Sequence, residues 1–207
     1  MHKAMFALTL LLLGTAMVAS GASPFAGTGT TLTKAKDTKA SPGGVSPEDA
    51  ALARRGVRRI GWDELMPEGE EQRLAEMYRA QLSRLYSGPA IAEGSPADAS
   101  MQIGTFNTVP ALDGKKIRIP GYGVPFEYGM ESTTREFLLV PYYGACIHSP
   151  PPPPNQTIYV TSKKPVPMKF FADAIWVEGV LRARRQDTDL ADAAYTIELT
   201  GVEEYRD

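Results

Sequence analysis

The stretch K-I-R-I-P-G-Y-G-V-P-F-E-Y, Lys116 to Tyr128, decides the class of fold. It opens with apolar and polar residues in alternation, the period of a half-buried strand. Gly and Pro then interrupt it, which suggests bends or bulges. Four more short runs follow. Glu136 to Tyr142 (E-F-L-L-V-P-Y) is apolar, and Thr157 to Thr161 (T-I-Y-V-T) is rich in strand formers. Ile175 to Arg184 (I-W-V-E-G-V-L-R-A-R) is the fourth. Ala194 to Val202 is the fifth, with Tyr195, Ile197 and Leu199 on one face and Thr196, Glu198 and Thr200 on the other. Lys163 to Ala174 reads as a connector with one helical turn near Lys169 to Ala174. Five short strands, with the connector between the third and fourth, predict a mainly β fold: a small five-stranded OB-like Greek-key barrel over about residues 101–205. Eleven of the 17 prolines lie between Pro110 and Pro167, so the sharp bends belong to this part.

Upstream of the barrel the period changes to that of a helix. Over 70–86, Leu74, Met77, Tyr78, Leu82 and Leu85 fall on one stripe of a period near 3.6, while Gln72, Arg73, Glu76, Arg79 and Arg84 face away. A single stripe needs one burying surface, so an N-terminal amphipathic helix packed on its own domain is expected. Ser46-Pro47-Glu48-Asp49 marks a shorter helix: a capping hydroxyl, Pro in the first turn, and acids at the positive helix end. Gly56 is the expected stop. Ile60, Trp62, Leu65 and Met66 between the two helices read as an anchor onto the core, and Ser87 to Ser100 reads as a loop.

The first 45 residues have a different character. Residues 1–22 read as a secretory signal peptide: His2 and Lys3, an apolar run from Phe6 to Val18, then small residues up to Ala22. That run is too short to span a bilayer. No Cys follows it, so the chain is expected in the periplasm as a secreted protein and not as a lipoprotein. Residues 23–45 hold few apolar groups and read as a disordered linker. Residues 46–207 form the single expected domain. Cleavage of 22 residues from 207 leaves 185, carrying 21 basic and 24 acidic groups. A mildly acidic exported chain has no electrostatic footprint for nucleic acid. No later apolar run reaches transmembrane length, so no membrane span is expected after cleavage. One Cys excludes an internal disulfide.

Past the signal the chain has one Cys and one His, and they are two residues apart: Cys146 and His148. On an extended backbone such residues share a face, and Pro150 biases Ser149 toward extension. Three readings of Cys146 stand side by side. It is a small buried hydrophobe, or a metal ligand with His148, or a nucleophile activated by His148. A closed zinc site takes four Cys or His ligands, and this chain supplies two. A Cu(I) site of Cys, His and Met130 or Met168 fits ligand softness, as does a labile zinc site completed by Glu127, Glu131 or a partner. Copper or zinc is therefore the expected cofactor if there is one. Pro150 to Pro154 form a polyproline rod without donors, followed by the amides of Asn155 and Gln156. Tyr122, Glu127, Tyr142, Tyr143, Asn155 and Gln156 complete the candidate binding surface.

The segments G-Y-G-V-P-F-E (Gly121 to Glu127) and F-L-L-V-P-Y-Y-G-A-C-I-H-S-P-P-P-P-P-N-Q (Phe137 to Gln156) resemble a family of exported bacterial proteins known as a domain of unknown function, of the DUF3299 type. Its hallmark is a Gly-Ala-Cys-x-His segment running into a Pro tract and Asn-Gln. W-V-E-G-V-L from Trp176 and I-G-W-D-E-L-M-P from Ile60 resemble its later strand and its opening, so the likeness spans about Ile60 to Tyr205. It implies a lipoprotein or periplasmic protein encoded near ABC-type export or metal-uptake systems. That favours a non-enzymatic binding or accessory protein handling a transition metal for an envelope transport system. The alternatives are a metal-free protein-interaction module and a Cys-His thiol enzyme. The absence of a signal Cys is where the chain departs from lipoprotein members.

Overall fold

The computed structural model describes residues 46–88, 101–126, 132–146 and 150–206. The expectations for residues 1–45 and for 127–131 and 147–149 lie outside the described residues. Helix α1 (Pro47–Arg54) begins where the sequence signals it. Ser46 Oγ accepts the Asp49 backbone N–H at 3.0 Å, and the helix gives way to Gly56 at φ 70°. The chain then forms the two-residue strand β1 (Arg58–Arg59), a 3-10 turn at Asp63–Leu65, and helix α2 (Glu70–Ser87).

Five strands make the body: β2 (Lys116–Pro125), β3 (Thr133–Val140), β4 (Ile158–Pro167), β5 (Ala174–Arg182) and β6 (Tyr195–Glu204). Their neighbours run β2-β3-β4-β6-β5, and β5 pairs back onto β2, which closes the barrel. β4 and β6 are parallel (Ile158↔Tyr195), while the other barrel pairs are antiparallel. Parallel neighbours need a crossover, and β5 supplies it by returning on the far side of β6. The fold is therefore mainly β, a closed OB-like barrel with β1 as one extra strand on β2 and a helix upstream.

β2 holds the barrel together by changing partner along its length. Lys116 to Tyr122 pair with β5, and Tyr122 to Pro125 pair with β3. The glycines read as bulges serve another purpose here. A Cβ on Gly121 would lie 3.0 Å from the Trp62 ring, and one on Gly123 would lie 2.2 Å from the Phe171 ring, so both admit aromatics against the strand. The register shifts fall elsewhere, at Thr134/Glu136 and Glu178/Gly179. The shift at Thr134 also corrects the expected connector. β4 continues to Pro167 because Val166 pairs with Thr134 and is buried; only Met168–Phe171 is a 3-10 turn.

Inside, Ile117, Ile119, Phe137, Leu139, Ile158, Ile175 and Ile197 are sealed from solvent. The segment before α2 plugs this core. Trp62 and Leu65 are fully buried, and Trp62 Nε1 donates to Pro120 O at 2.6 Å. Tyr195 Oη donates to Leu65 O at 2.8 Å and accepts from Val109 N at 2.6 Å, so a fully buried phenol is satisfied twice. Glu70, buried at the start of α2, accepts from Thr105 Oγ1 and from Asn107 Nδ2, the latter at 3.0 Å.

α2 departs from its expected packing. Its stripe buries Leu74, but Tyr78, Leu82 and Leu85 are 41%, 51% and 50% exposed. The helix is anchored through Glu70 and Leu74 in its first turns, and the rest of its apolar face extends beyond the surface those turns rest on.

The proline tract is packed inward. Pro151, Pro152 and Pro154 are buried, so the tract forms part of the wall of the domain. Gln102 Nε2 donates to Pro152 O at 2.8 Å and to Asp192 O at 2.9 Å, while Gln102 Oε1 accepts Asp192 N at 2.8 Å. Gly104 lets this strap lie flat on the tract, since a Cβ there would sit 2.7 Å from Pro153 Cβ. Gln102→Ala removes all three bonds, strands Asp192 N and O, and leaves Pro152 O only the 3.4 Å bond from Thr157 Oγ1. A loss of about 2–3 kcal/mol is expected from urea unfolding, well beyond an ordinary exposed substitution.

Candidate functional site

The segment after β3 folds back over the outer face of the barrel. Val124, Leu138 and Val140 point outward there and are buried beneath Ala145 and Ala191, with Tyr122, Phe126, Tyr142, Cys146, Tyr159 and Leu190 packed around them. This second apolar cluster positions Tyr142 to Cys146. The turn is built by residues in the left-handed region, Gly144 at φ 79° and Cys146 at φ 65°. Cys146 is the one such non-glycine residue among the described residues, a conformation that costs an L residue about 1 kcal/mol or more.

The thiol of Cys146 is half-buried in this apolar wrapping, and burial pushes its pKa up to about 11. A thiolate nucleophile needs the opposite, a depressed pKa beside a cation or a helix N-terminus. The same burial raises Tyr142 to about 12, with the neighbouring Tyr78 and Cys146 adding to the shift. Tyr142 Oη donates to Pro150 O at 3.2 Å, which ties the turn to the start of the proline tract.

The expected site residues divide into three groups. Tyr122, Tyr142, Tyr143 and Cys146 are brought together: Tyr122 and Tyr143 meet edge to face at 5.8 Å, and Tyr142 and Cys146 share the outer cluster. Asn155 and Gln156 are taken out of the surface. Both are buried in the 3-10 turn Pro154–Gln156, where Gln156 Nε2 donates to Trp62 O at 2.8 Å. The Asn155 carboxamide is sealed and has no partner. Gln156 thus braces the plug segment and presents nothing to a ligand. His148, Glu127, Met130 and Glu131 lie outside the described residues. Met168 sits in the turn after β4, apart from the cluster that holds Cys146. Among the described residues no group of three or more His, Cys, Asp or Glu side chains is placed to hold a metal ion.

Sequence reasoning missed Tyr78, Tyr159 and Leu190. The spacing of Tyr78 places it on the helix stripe, and the structure sets that stripe beside Tyr142. Leu190 comes from a loop without periodicity, and no sequence signal marks it.

Comparison with known proteins agrees with this architecture. A family model described as a protein of unknown function, DUF3299, matches residues 62–204. The chain is 35% identical to a DUF3299 family protein from Pseudomonas aeruginosa PAO1 whose crystal structure is known at 2.45 Å resolution; the match covers 72% of this chain and 96% of that one, with a TM-score of 0.51. No curated protein matches. The chain belongs to the DUF3299 family.

The raised thiol pKa predicts slow chemistry. Iodoacetamide should alkylate Cys146 of the folded protein far more slowly at pH 8 than in denaturant, with the folded rate climbing as pH approaches 11. Equal rates in the two states at pH 8 would show an accessible, unshifted thiol.

Proposed function

We propose that this chain is a non-enzymatic accessory protein of the bacterial cell envelope, exported through its N-terminal segment and docked onto an ABC-type transport system. The observation that carries the reading is an uncovered apolar face. Tyr78, Leu82, Leu85 and Tyr86 of α2 and Tyr143 beyond β3 are all exposed large side chains. Tyr78 influences the titration of Tyr142, so the helix stripe and the tyrosine turn are neighbours. Contiguous exposed aromatics and leucines mark interaction surfaces, and tyrosine is among the residue types enriched at interface hot spots. The protonated, wrapped thiol weighs against the thiol-enzyme alternative.

One observation favours metal handling within that role. Cys146 holds a left-handed backbone where glycine would sit without strain, and such positions recur at functional sites. With His148 two residues on, copper or zinc would take the thiolate after displacing its proton.

Two measurements test these readings. A photo-cross-linking residue at Leu82 or Tyr143, in living cells, is expected to capture a membrane-bound transport component, and one at exposed Arg182 on β5 is not. Adducts at Leu82 and Tyr143 no different from those at Arg182 would remove the docking reading. With the probe at Tyr143, Leu82→Arg should abolish the adduct while shifting stability by no more than about 0.5 kcal/mol, because the side chain is exposed. Separately, calorimetric titration with Cu(I) and Zn(II) should give binding that is lost in Cys146→Ala; affinity weaker than about micromolar, roughly −8 kcal/mol, would discard the metal role.

A further inference from the structure

A second built feature lies where α1, β1, β2, β5 and the end of β6 meet. A cleft of about 860 Å³ opens there, lined by Arg59, Arg118, Phe170, Trp176, Val202 and Glu203 among others. Its floor is an unusual stack. The guanidinium carbons of Arg59 and Arg118 lie 5.0 and 4.9 Å from the centroid of the Trp176 ring. Trp176 and Arg118 are both more than nine-tenths buried. Two cations on one indole repel each other, so the arrangement needs anions.

The acids present meet that need incompletely. Glu203 Oε2 accepts one aligned bond from Arg118 Nη2 at 2.8 Å. Glu48 and Asp49 lie 2.7 and 2.8 Å from Arg59 Nη2 and Nε, but these nitrogens make no aligned hydrogen bond to them. Glu48 reaches Arg118 at 3.7 Å, and the buried Nε of Arg118 has no partner. A guanidinium carries five donors in a rigid fork suited to a bidentate oxyanion. Here two forks converge, and apart from the Arg118–Glu203 bond the carboxylates meet them at poor angles. The mobility is one-sided. The Arg118 side chain is 7% exposed, whereas Glu203 and Glu48 are 67% and 57% exposed and can swing into water at little cost.

We infer that this cleft binds a small ligand carrying an oxyanion, a phosphate monoester or a carboxylate, whose charged group displaces Glu203 from Arg118 and reaches the neighbouring Arg59, and whose apolar part lies on Phe170 and Val202. Glu203 is the stand-in for that group in the free protein: a carboxylate on the forked donor, held from the rim. The rival role is structural, the Arg118–Glu203 pair serving only to clasp β6 to β2, and the two roles differ in what Glu203 does. As a clasp, Glu203 supports the structure. As a stand-in, it competes with the ligand. The inference does not depend on the docking role proposed above.

The test uses the full chain, phenyl phosphate and benzoate as probes, and chloride at matched ionic strength as control. Of the two tryptophans, Trp62 is sealed in the core, so a fluorescence response reports Trp176. Saturable quenching with a Kd of about millimolar is expected for at least one probe and not for chloride. Tighter phenyl phosphate binding assigns the site to phosphate monoesters, and tighter benzoate binding assigns it to carboxylates. Glu203→Gln should bind roughly threefold tighter, the worth of one partly exposed ion pair. Arg118→Gln should lose saturation; because that variant can also fail to fold, Glu203→Gln is the deciding one. No saturation by about 10 mM in either the wild type or Glu203→Gln overturns the site, and so does weaker binding by Glu203→Gln.

Discussion

A proline tract accepts hydrogen bonds and donates none, and that asymmetry organises this molecule. Pro150 to Pro154 bring a row of carbonyls into or near the protein interior, and each left unpaired would cost about 1–3 kcal/mol. Donors arrive from every side. Tyr142 Oη reaches Pro150 O, Gln102 Nε2 reaches Pro152 O, and Thr157 Oγ1 and Gln156 N reach Pro153 O. Ala194 N donates to Pro154 O at 2.8 Å, immediately before Tyr195 pairs with Ile158. The tract therefore sets the start of the parallel β4–β6 pairing, the contact that makes the strand order that of a closed barrel. The same tract holds the turn that carries Cys146. Fold and candidate site are fixed by one set of acceptors.

The barrel buries apolar side chains on both faces of β2 and β3, and this decides where a site can lie. Ile117, Ile119, Phe137 and Leu139 point inward; Val124, Leu138 and Val140 point outward and need a second cover. The Tyr142–Cys146 turn and the Leu190–Ala191 loop supply it. A thiol placed in such a cover is shielded from water by construction, which is why its pKa rises to about 11. The neighbouring Tyr143 is exposed on the same turn and contributes apolar area there.

Strand positions were legible because the period of two survives in short runs such as Tyr195, Ile197 and Leu199. Their pairing order was legible because the connector falls between the third and fourth runs. The extension of β4 to Pro167 was not, since K-K-P-V-P reads as a connector and only its pairing with Thr133 and Thr134 makes it a strand. The burial of Asn155 and Gln156 was hidden for a related reason. Polar amides after a proline tract read as surface, and the demand for a donor at Trp62 O, 94 residues away in sequence, is visible only in three dimensions. Arg59, Arg118 and Trp176 come together from three separate strands, so no local pattern could have joined them.

Helix α2 carries the sharpest lesson in what periodicity encodes. Its stripe of Leu74, Tyr78, Leu82 and Leu85 states that one face meets an apolar surface; it does not state whose. Had the stripe been needed for folding, the domain would have to supply a facing surface along its length; among the described residues Leu74 is buried and Met77 half-buried, while Tyr78, Leu82 and Leu85 stay exposed. Yet the first turn is fastened with care. Glu70 is buried at the positive end of the helix and held by Thr105 and Asn107, so the direction in which α2 leaves the barrel is set. A helix with a fixed exit direction and an uncovered apolar face presents that face in a defined orientation. This is the geometry expected of a binding element, in which the ordering cost is met within the free protein and the apolar area is kept for the partner.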